Sequence, residues 1–220
     1  MNPMNLEQAR YNMVEQQIRP AHVLPESLRE RLLAVRREDF VPAARRHLAL
    51  ADVAIPLGHG AAMWPPLLEA RALEALALRS HERVLEIGSG SGYMAALLAL
   101  YAEQVTSLEL EPELADLARH NLAVAGVRNV QVVTADGAAG WPENAPYDAI
   151  LVAGGLARIP EALKAQLKVG GRLFAVVGKA PAMSACLLTR LSEDGFELRQ
   201  LFETQVAPLR NGPAEAGFVF

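Results

Sequence analysis

From Arg83 onward the chain alternates short apolar runs with amphipathic stretches. Strands are expected at 83–87, 104–109, 129–134, 148–153 and 171–177. Helices are expected at 91–101, 112–125 and 160–167. Strands and helices in turn predict a parallel sheet covered by helices on both faces. The pattern then changes. Residues 184–191 and 197–207 read as two more strands, joined by Ser192-Glu193-Asp194-Gly195 with its Asp-Gly turn signal. The result is an α/β, Rossmann-like fold whose mostly parallel sheet of seven strands ends in an antiparallel hairpin. A dinucleotide-binding fold would repeat a second βαβαβ half there instead.

Ahead of Arg83 the pattern is helical. Residues 5–18 place Leu6, Ala9, Met13, Val14 and Ile18 toward one face, and Arg19-Pro20 is expected to stop that helix. Pro25 opens a second helix running to about Arg36, and Phe40 to Leu50 reads as a third, short one. Ile55-Pro56-Leu57-Gly58-His59-Gly60 reads as a loop, and a helix runs from Pro65 to about Leu78. Residues 1–64 thus form a helical extension with a loop, and residues 65–220 one compact unit.

Composition narrows the function classes. The 220 residues are 51% hydrophobic and 21% charged, which is globular, and 21 basic against 25 acidic side chains leave a net charge of −4. Arg36-Arg37 and Arg45-Arg46 are short pairs that read as solvated helix faces, so no nucleic-acid partner is expected. Cys186, within Ala185-Cys186-Leu187-Leu188, reads as an inert buried thiol in a reducing compartment. Gln8, Arg10, Asn12, Glu15 and Gln16 break any signal-peptide core, and the apolar stretch Met94–Ala102 is too short to span a bilayer. A cytoplasmic location without membrane association follows, as a monomer or weak dimer. His22, His47, His81 and His120 read as surface residues, and no acids or histidines have metal-ligand spacing.

The candidate chemistry gathers at strand ends. Val84-Leu85-Glu86-Ile87-Gly88-Ser89-Gly90-Ser91-Gly92-Tyr93 is a strand, a glycine-rich turn and a helix start. Its G-x-G-x-G spacing differs from the G-x-G-x-x-G of nicotinamide dehydrogenases, which argues against that class. Glu109 ends the next strand, where a carboxylate can hold two ribose hydroxyls, and Asp136-Gly137 follows the third strand, where an acid can accept from an adenine amino group. With no basic residue in the loop, these acids disfavour a pyrophosphate and favour a sulfonium and an ammonium. S-adenosylmethionine fits. Glu86, Gly88, Ser89 and Gly90 are expected around its methionine part, Glu109 at the ribose, Leu110 beside the adenine, and Asp136 and Gly137 at the adenine edge.

Met13-Val14-Glu15-Gln16-Gln17-Ile18-Arg19, Arg37-Glu38-Asp39-Phe40-Val41-Pro42, Ile55–Gly60, Val84–Tyr93, Ala145–Val152, Ile159-Pro160 and Gly170-Gly171-Arg172-Leu173 resemble protein-L-isoaspartate O-methyltransferases over nearly the whole chain. The resemblance implies a class I, seven-stranded methyltransferase fold, S-adenosylmethionine as donor, and an isoaspartyl carboxylate in a damaged protein or peptide as acceptor. The methyl ester then closes to a succinimide that reopens partly to aspartate. One segment departs. The family's Gln-Thr-x-Ser-Gln-Pro-like stretch reads Ala61-Ala62-Met63-Trp64-Pro65-Pro66, so Ala62 and Trp64 stand where the family has Thr and Ser hydroxyls. Ala153-Gly154-Gly155 likewise replaces a Thr-Ala-Ala. His59, backbone N–H groups near Gly60 and the indole N–H of Trp64 are the candidates to hold the acceptor. The alternatives are a methyltransferase with a different acceptor and a cofactor-binding protein that has lost repair activity.

Overall fold

The computed structural model describes residues 3–21 and 25–213. His22, one of the expected surface histidines, lies outside them, while His47, His81 and His120 are exposed as expected. The sheet is built from β3 (Arg83–Ile87), β4 (Gln104–Glu109), β5 (Val130–Thr134), β6 (Tyr147–Leu156), β7 (Leu167–Lys179), β8 (Ala182–Arg190) and β9 (Phe196–Glu203). Its order is β5-β4-β3-β6-β7-β8-β9. The first five strands pair in parallel, and β7–β8–β9 close the sheet antiparallel.

Alternation along each strand feeds two cores. Leu85, Ile87, Leu108, Ile150, Val152 and Leu173 pack on one face with α7 (Glu161–Ala165). Val84, Val105, Ala149, Leu151 and Phe174 face the other side. They meet α4 (Pro66–Leu76), α5 (Tyr93–Ala99) and the N-terminal elements, whose Met13, Val14, Ile18, Leu28 and Leu32 join the same cluster. The sheet is covered on both sides, which is why its strands read as apolar runs.

The N-terminal region differs in detail from its sequence pattern. α1 (Pro3–Asn12) continues through a π-helical turn, Met13–Ile18, into α2 (Arg19–Ala21). The Arg19 N–H reaches back to Val14 O, one residue further than an α-helical bond. This wider turn shifts the carbonyl row ahead of Pro20, so the proline ring does not end the helix as expected. α3 (Glu26–Ala34) follows. The expected helix at 40–50 is instead a 3₁₀ helix, Ala43–Leu48, preceded by a 3₁₀ turn at Arg37–Asp39.

Residues 55–60 are not a loop. β1 (Ile55–Gly58) and β2 (Ala61–Met63) form an antiparallel hairpin, with Ile55 opposite Met63 and Pro56 opposite Ala62. His59 (φ +52°) and Gly60 (φ +76°) make the left-handed turn that such a hairpin requires. Pro56 sits in this two-stranded ribbon, where a missing N–H is tolerated. Among the described residues, no helix is long and apolar enough to cross a membrane.

Candidate active site

The chain leaves β3 toward β4 on one side, while β6 runs on toward β7 on the other. Diverging connections at adjacent strand ends open a crevice there. The loop after β3 lines it. The Gly88 and Ser89 N–H groups both donate to Leu108 O, at 2.8 and 3.1 Å, which turns the loop back over β4. Gly88 has φ +98°, and a Cβ on it would stand 3.2 Å from the Ala153 side chain. Gly92 (φ +83°) lies against the Ala118 backbone of α6 (Pro112–Val124), 3.1 Å from where a Cβ would sit. Both positions require glycine. The small Ala153 is what lets β6 approach Gly88.

Glu109 is buried at the end of β4. Its Oε2 accepts from the Gly90 N–H (2.8 Å) and its Oε1 from the Glu111 N–H (3.1 Å), so it pins the glycine loop. Leu110 follows it, half-buried. Glu86 does not point into the crevice as expected. It lies fully buried behind the loop, where Oε2 accepts from the Ser107 hydroxyl and Oε1 has no partner. Ser107 in turn meets Ser89 Oγ at 2.5 Å, so a chain of three polar side chains links Glu86 to the cleft wall. Burial pushes the Glu86 carboxyl up to about 8 against the Ser107 hydrogen bond, and the charges of Glu109 and Glu69 add to the rise. Asp136 is exposed beyond β5, accepting from the Ala138 N–H and from Asn211 Nδ2, both at 2.9 Å. Gly137 is packed beneath, with Ile87 Cγ2 2.6 Å from where a Cβ would sit.

The β1–β2 hairpin forms the opposite wall. Leu57 Cδ1 lies 3.0 Å from where a Gly90 Cβ would stand. At the tip, His59 Nε2 is 2.9 Å from Glu113 Oε2, and His59 Nδ1 is 3.5 Å from Glu111 Oε2. His59 thus spans the mouth of the crevice instead of facing its interior. Trp64 is buried in the cleft wall, edge-on to Phe174 at 6.1 Å between ring centres. Ala62 and Met63 line the cleft beside it.

Two residues at this end escaped the sequence reading. Arg37 is completely buried, not on a solvated face. It donates through Nε to Ala49 O (2.9 Å), through Nη2 to Trp64 O (2.7 Å) and through Nη1 to Glu69 Oε2. Its guanidinium lies 4.9 Å from the Tyr93 ring centre. Glu69, in the first turn of α4, lines the cleft together with Ala62, Trp64 and Tyr93. Burial pushes its carboxyl up to about 7, with Arg37 opposing. A signal existed: Glu69 shares the buried stripe of Leu73 and Leu76 on α4, where an acid needs a partner.

The donor set suits S-adenosylmethionine. Glu109 and Asp136 offer carboxylate acceptors, and the buried, half-satisfied Glu86 backs the loop as a neutral carboxyl. The glycine loop offers backbone, and among the described residues no lysine or arginine side chain lines the cleft. The cavity between the hairpin and the start of the glycine loop measures about 40 Å³, with Leu57 lying on Gly90. The hairpin tip is held by contacts of His59 with Glu111 and Glu113.

A profile of the family described as protein-L-isoaspartate(D-aspartate) O-methyltransferase matches residues 8–213. The chain is 45% identical to protein-L-isoaspartate O-methyltransferase 1 of Rhodopseudomonas palustris (strain HaA2), over 91% of this chain and 82% of that one. It is 43% identical to protein-L-isoaspartate O-methyltransferase 2 of Marinobacter nauticus, over 93% and 94%. A Plasmodium falciparum structure described by the same activity, in complex with S-adenosyl-L-homocysteine, shares the fold at TM-score 0.81 and 19% identity, over 92% of this chain and 99% of that one. With the family profile matching residues 8–213 and relatives 43–45% identical over more than nine-tenths of it, the chain belongs to the protein-L-isoaspartate(D-aspartate) O-methyltransferase family.

Proposed function

We propose that this chain is an S-adenosylmethionine-dependent O-methyltransferase that esterifies the free carboxylate of isoaspartyl residues in damaged proteins, acting in the cytoplasm. Family membership at 40–45% identity to several enzymes of that name supports the activity. The observation that carries the donor is the crevice itself, where Glu109 pins the Gly90 N–H at a switch point of the sheet. When bound, S-adenosylmethionine supplies a methyl group activated by a sulfonium. Glu109 and Asp136 hold the ribose and the adenine edge, with Leu110 and Gly137 beside the base. Gly88, Ser89 and Gly90 receive the methionine end, backed by Glu86 through Ser107.

An acceptor carboxylate is ionised at neutral pH, so no general base is needed. The protein's work is to align two reactants and exclude water, an effect of about 7–11 kcal/mol in well-oriented systems. The hairpin suits both tasks, since it covers the loop and carries the acceptor-side residues. His59 and Trp64 border the acceptor path in this reading, His59 at its mouth and Trp64 in its wall.

One observation favours a second reading, a methyltransferase with a different acceptor. Ala62 and Trp64 give the acceptor wall no hydroxyl. Transfer of labelled methyl from S-adenosylmethionine to an isoaspartyl peptide, against the same peptide with normal aspartate, separates the two. Label on the isoaspartyl peptide alone is expected. Donor binding without transfer to either peptide would hand the case to the second reading or to a protein that binds without turnover.

A further inference from the structure

At the acceptor end of the cleft Ala62 and Trp64 carry no hydroxyl, the hydroxyls of the lining belong to Ser89, Ser91 and Tyr93, and Glu69 there is a buried acid that the donor site does not use. Glu69 Oε2 accepts from Arg37, while Oε1 receives no hydrogen bond among the described residues and the side chain lines the cleft beside Ala62 and Trp64. Arg37 is anchored at two further points, Ala49 O and Trp64 O, so the carboxyl group is fixed in orientation. Two ionised carboxylates cannot sit together in so buried a place. A carboxyl and a carboxylate sharing one proton can, and they form a short, charge-assisted hydrogen bond.

We propose that Glu69, in its protonated form, binds the acceptor carboxylate, its Oε1–H donating the hydrogen bond that Ala62 and Trp64 no longer provide. This rests on the isoaspartyl reading above. Oε2 keeps accepting from Arg37. The acceptor's other oxygen is left free to attack the methyl carbon, so that the O–C bond forms as the C–S bond of the sulfonium breaks and the neutral thioether leaves with that electron pair. The proton stays on Glu69 throughout, because the carbonyl oxygen of the product ester accepts the same hydrogen bond. The state of Glu69 answers to the groups around it. Arg37 favours the anion, whereas burial and the charge of Asp52 favour the acid. Glu86 interacts with it from β3, and Tyr93 from α5.

The test is the pH profile of kcat/KM for an isoaspartyl peptide, with the affinity for S-adenosylmethionine measured by calorimetry at each pH. In the wild type, kcat/KM should fall about tenfold per unit above the Glu69 titration near neutrality, mainly through KM. Glu69→Ala should lose about 10–100-fold at pH 6.5, the scale of one hydrogen bond to a charged group. Glu69→Gln keeps a donor, so it should recover most of that loss and remove the falling limb. Glu69→Gln copies the neutral carboxyl but removes the anion that Arg37 favours at higher pH, and so risks misfolding. Ala62→Thr spares that pair, and by restoring a hydroxyl it should raise kcat/KM at pH 8.5 and flatten the limb. Donor affinity should stay within about threefold in all three variants. A Glu69→Gln profile that keeps the limb, or an Ala62→Thr profile identical to wild type, overturns the proposal. So does a Glu69 variant whose main defect is donor affinity. If the wild type binds donor yet methylates no isoaspartyl peptide, the functional reading falls first and takes this inference with it.

Discussion

Single residues set the electrostatics of this site. Glu109 joins the donor crevice to the glycine loop, because the carboxylate expected at the ribose also receives the Gly90 and Glu111 N–H groups. Glu109→Ala should therefore weaken S-adenosylmethionine binding by at least about tenfold and also lower stability by about 1–3 kcal/mol, read by calorimetry and by denaturant unfolding. Glu86 makes a separate, pH-dependent prediction. Its carboxyl is raised to about 8 by burial, so the folded protein holds a proton that the unfolded chain releases near 4.5. Stability from this group is complete below pH 4.5 and declines as pH rises to about 8. Glu86→Gln should abolish that decline and be more stable than wild type at pH 8.5, by about 1–3 kcal/mol. Unfolding midpoints at pH 5 and pH 8.5 check it. Glycine spacing and the strand-end position of Glu109 were readable in the sequence because both follow from local backbone geometry. Glu69 had a local signal in its helix stripe, but its pairing with Arg37 was not readable, because it spans 32 residues of sequence and only tertiary packing buries an arginine that reads as a surface residue.

Among the elements, the β1–β2 hairpin decides access. Leu57 rests on Gly90, and the tip is tied to α6 by His59 and the Glu111 and Glu113 carboxylates. Contacts between exposed side chains are worth about 0–1 kcal/mol. His59→Ala should leave stability nearly unchanged and speed donor association and release, measured by stopped-flow fluorescence of Trp64. A large stability loss would make the tip structural instead. The parallel strands were legible: β3 and β4 fall on the expected residues, because strands covered on both faces are continuous apolar runs. The hairpin was not. Ile55-Pro56-Leu57-Gly58 carries a proline and a glycine inside a four-residue strand, and the turn rests on a left-handed His59 that composition does not announce. The π turn before Pro20 escaped for the same reason, as a choice of backbone register that no residue type marks.

The whole molecule shares one side of its core between the N-terminal helices and the sheet. Met13, Ile18, Leu32 and Phe40 pack in the same cluster as Tyr93, Leu97 and Phe174, and Phe40 meets Tyr93 edge-on at 5.4 Å. The helical segment thus supports the wall on which Arg37 and Trp64 sit. Its two tryptophans report on opposite sheet faces, Trp64 with the N-terminal cluster and Trp141 with the other core. Single-tryptophan variants should unfold in urea with coincident midpoints, as one cooperative unit. Separated transitions would mean that the N-terminal helices fold apart from the sheet.

The most direct measurement is transfer of a labelled methyl group from S-adenosylmethionine to an isoaspartyl peptide. The account predicts a base-labile ester on that peptide and none on its aspartyl twin. Tight donor binding with no ester on either would contradict it.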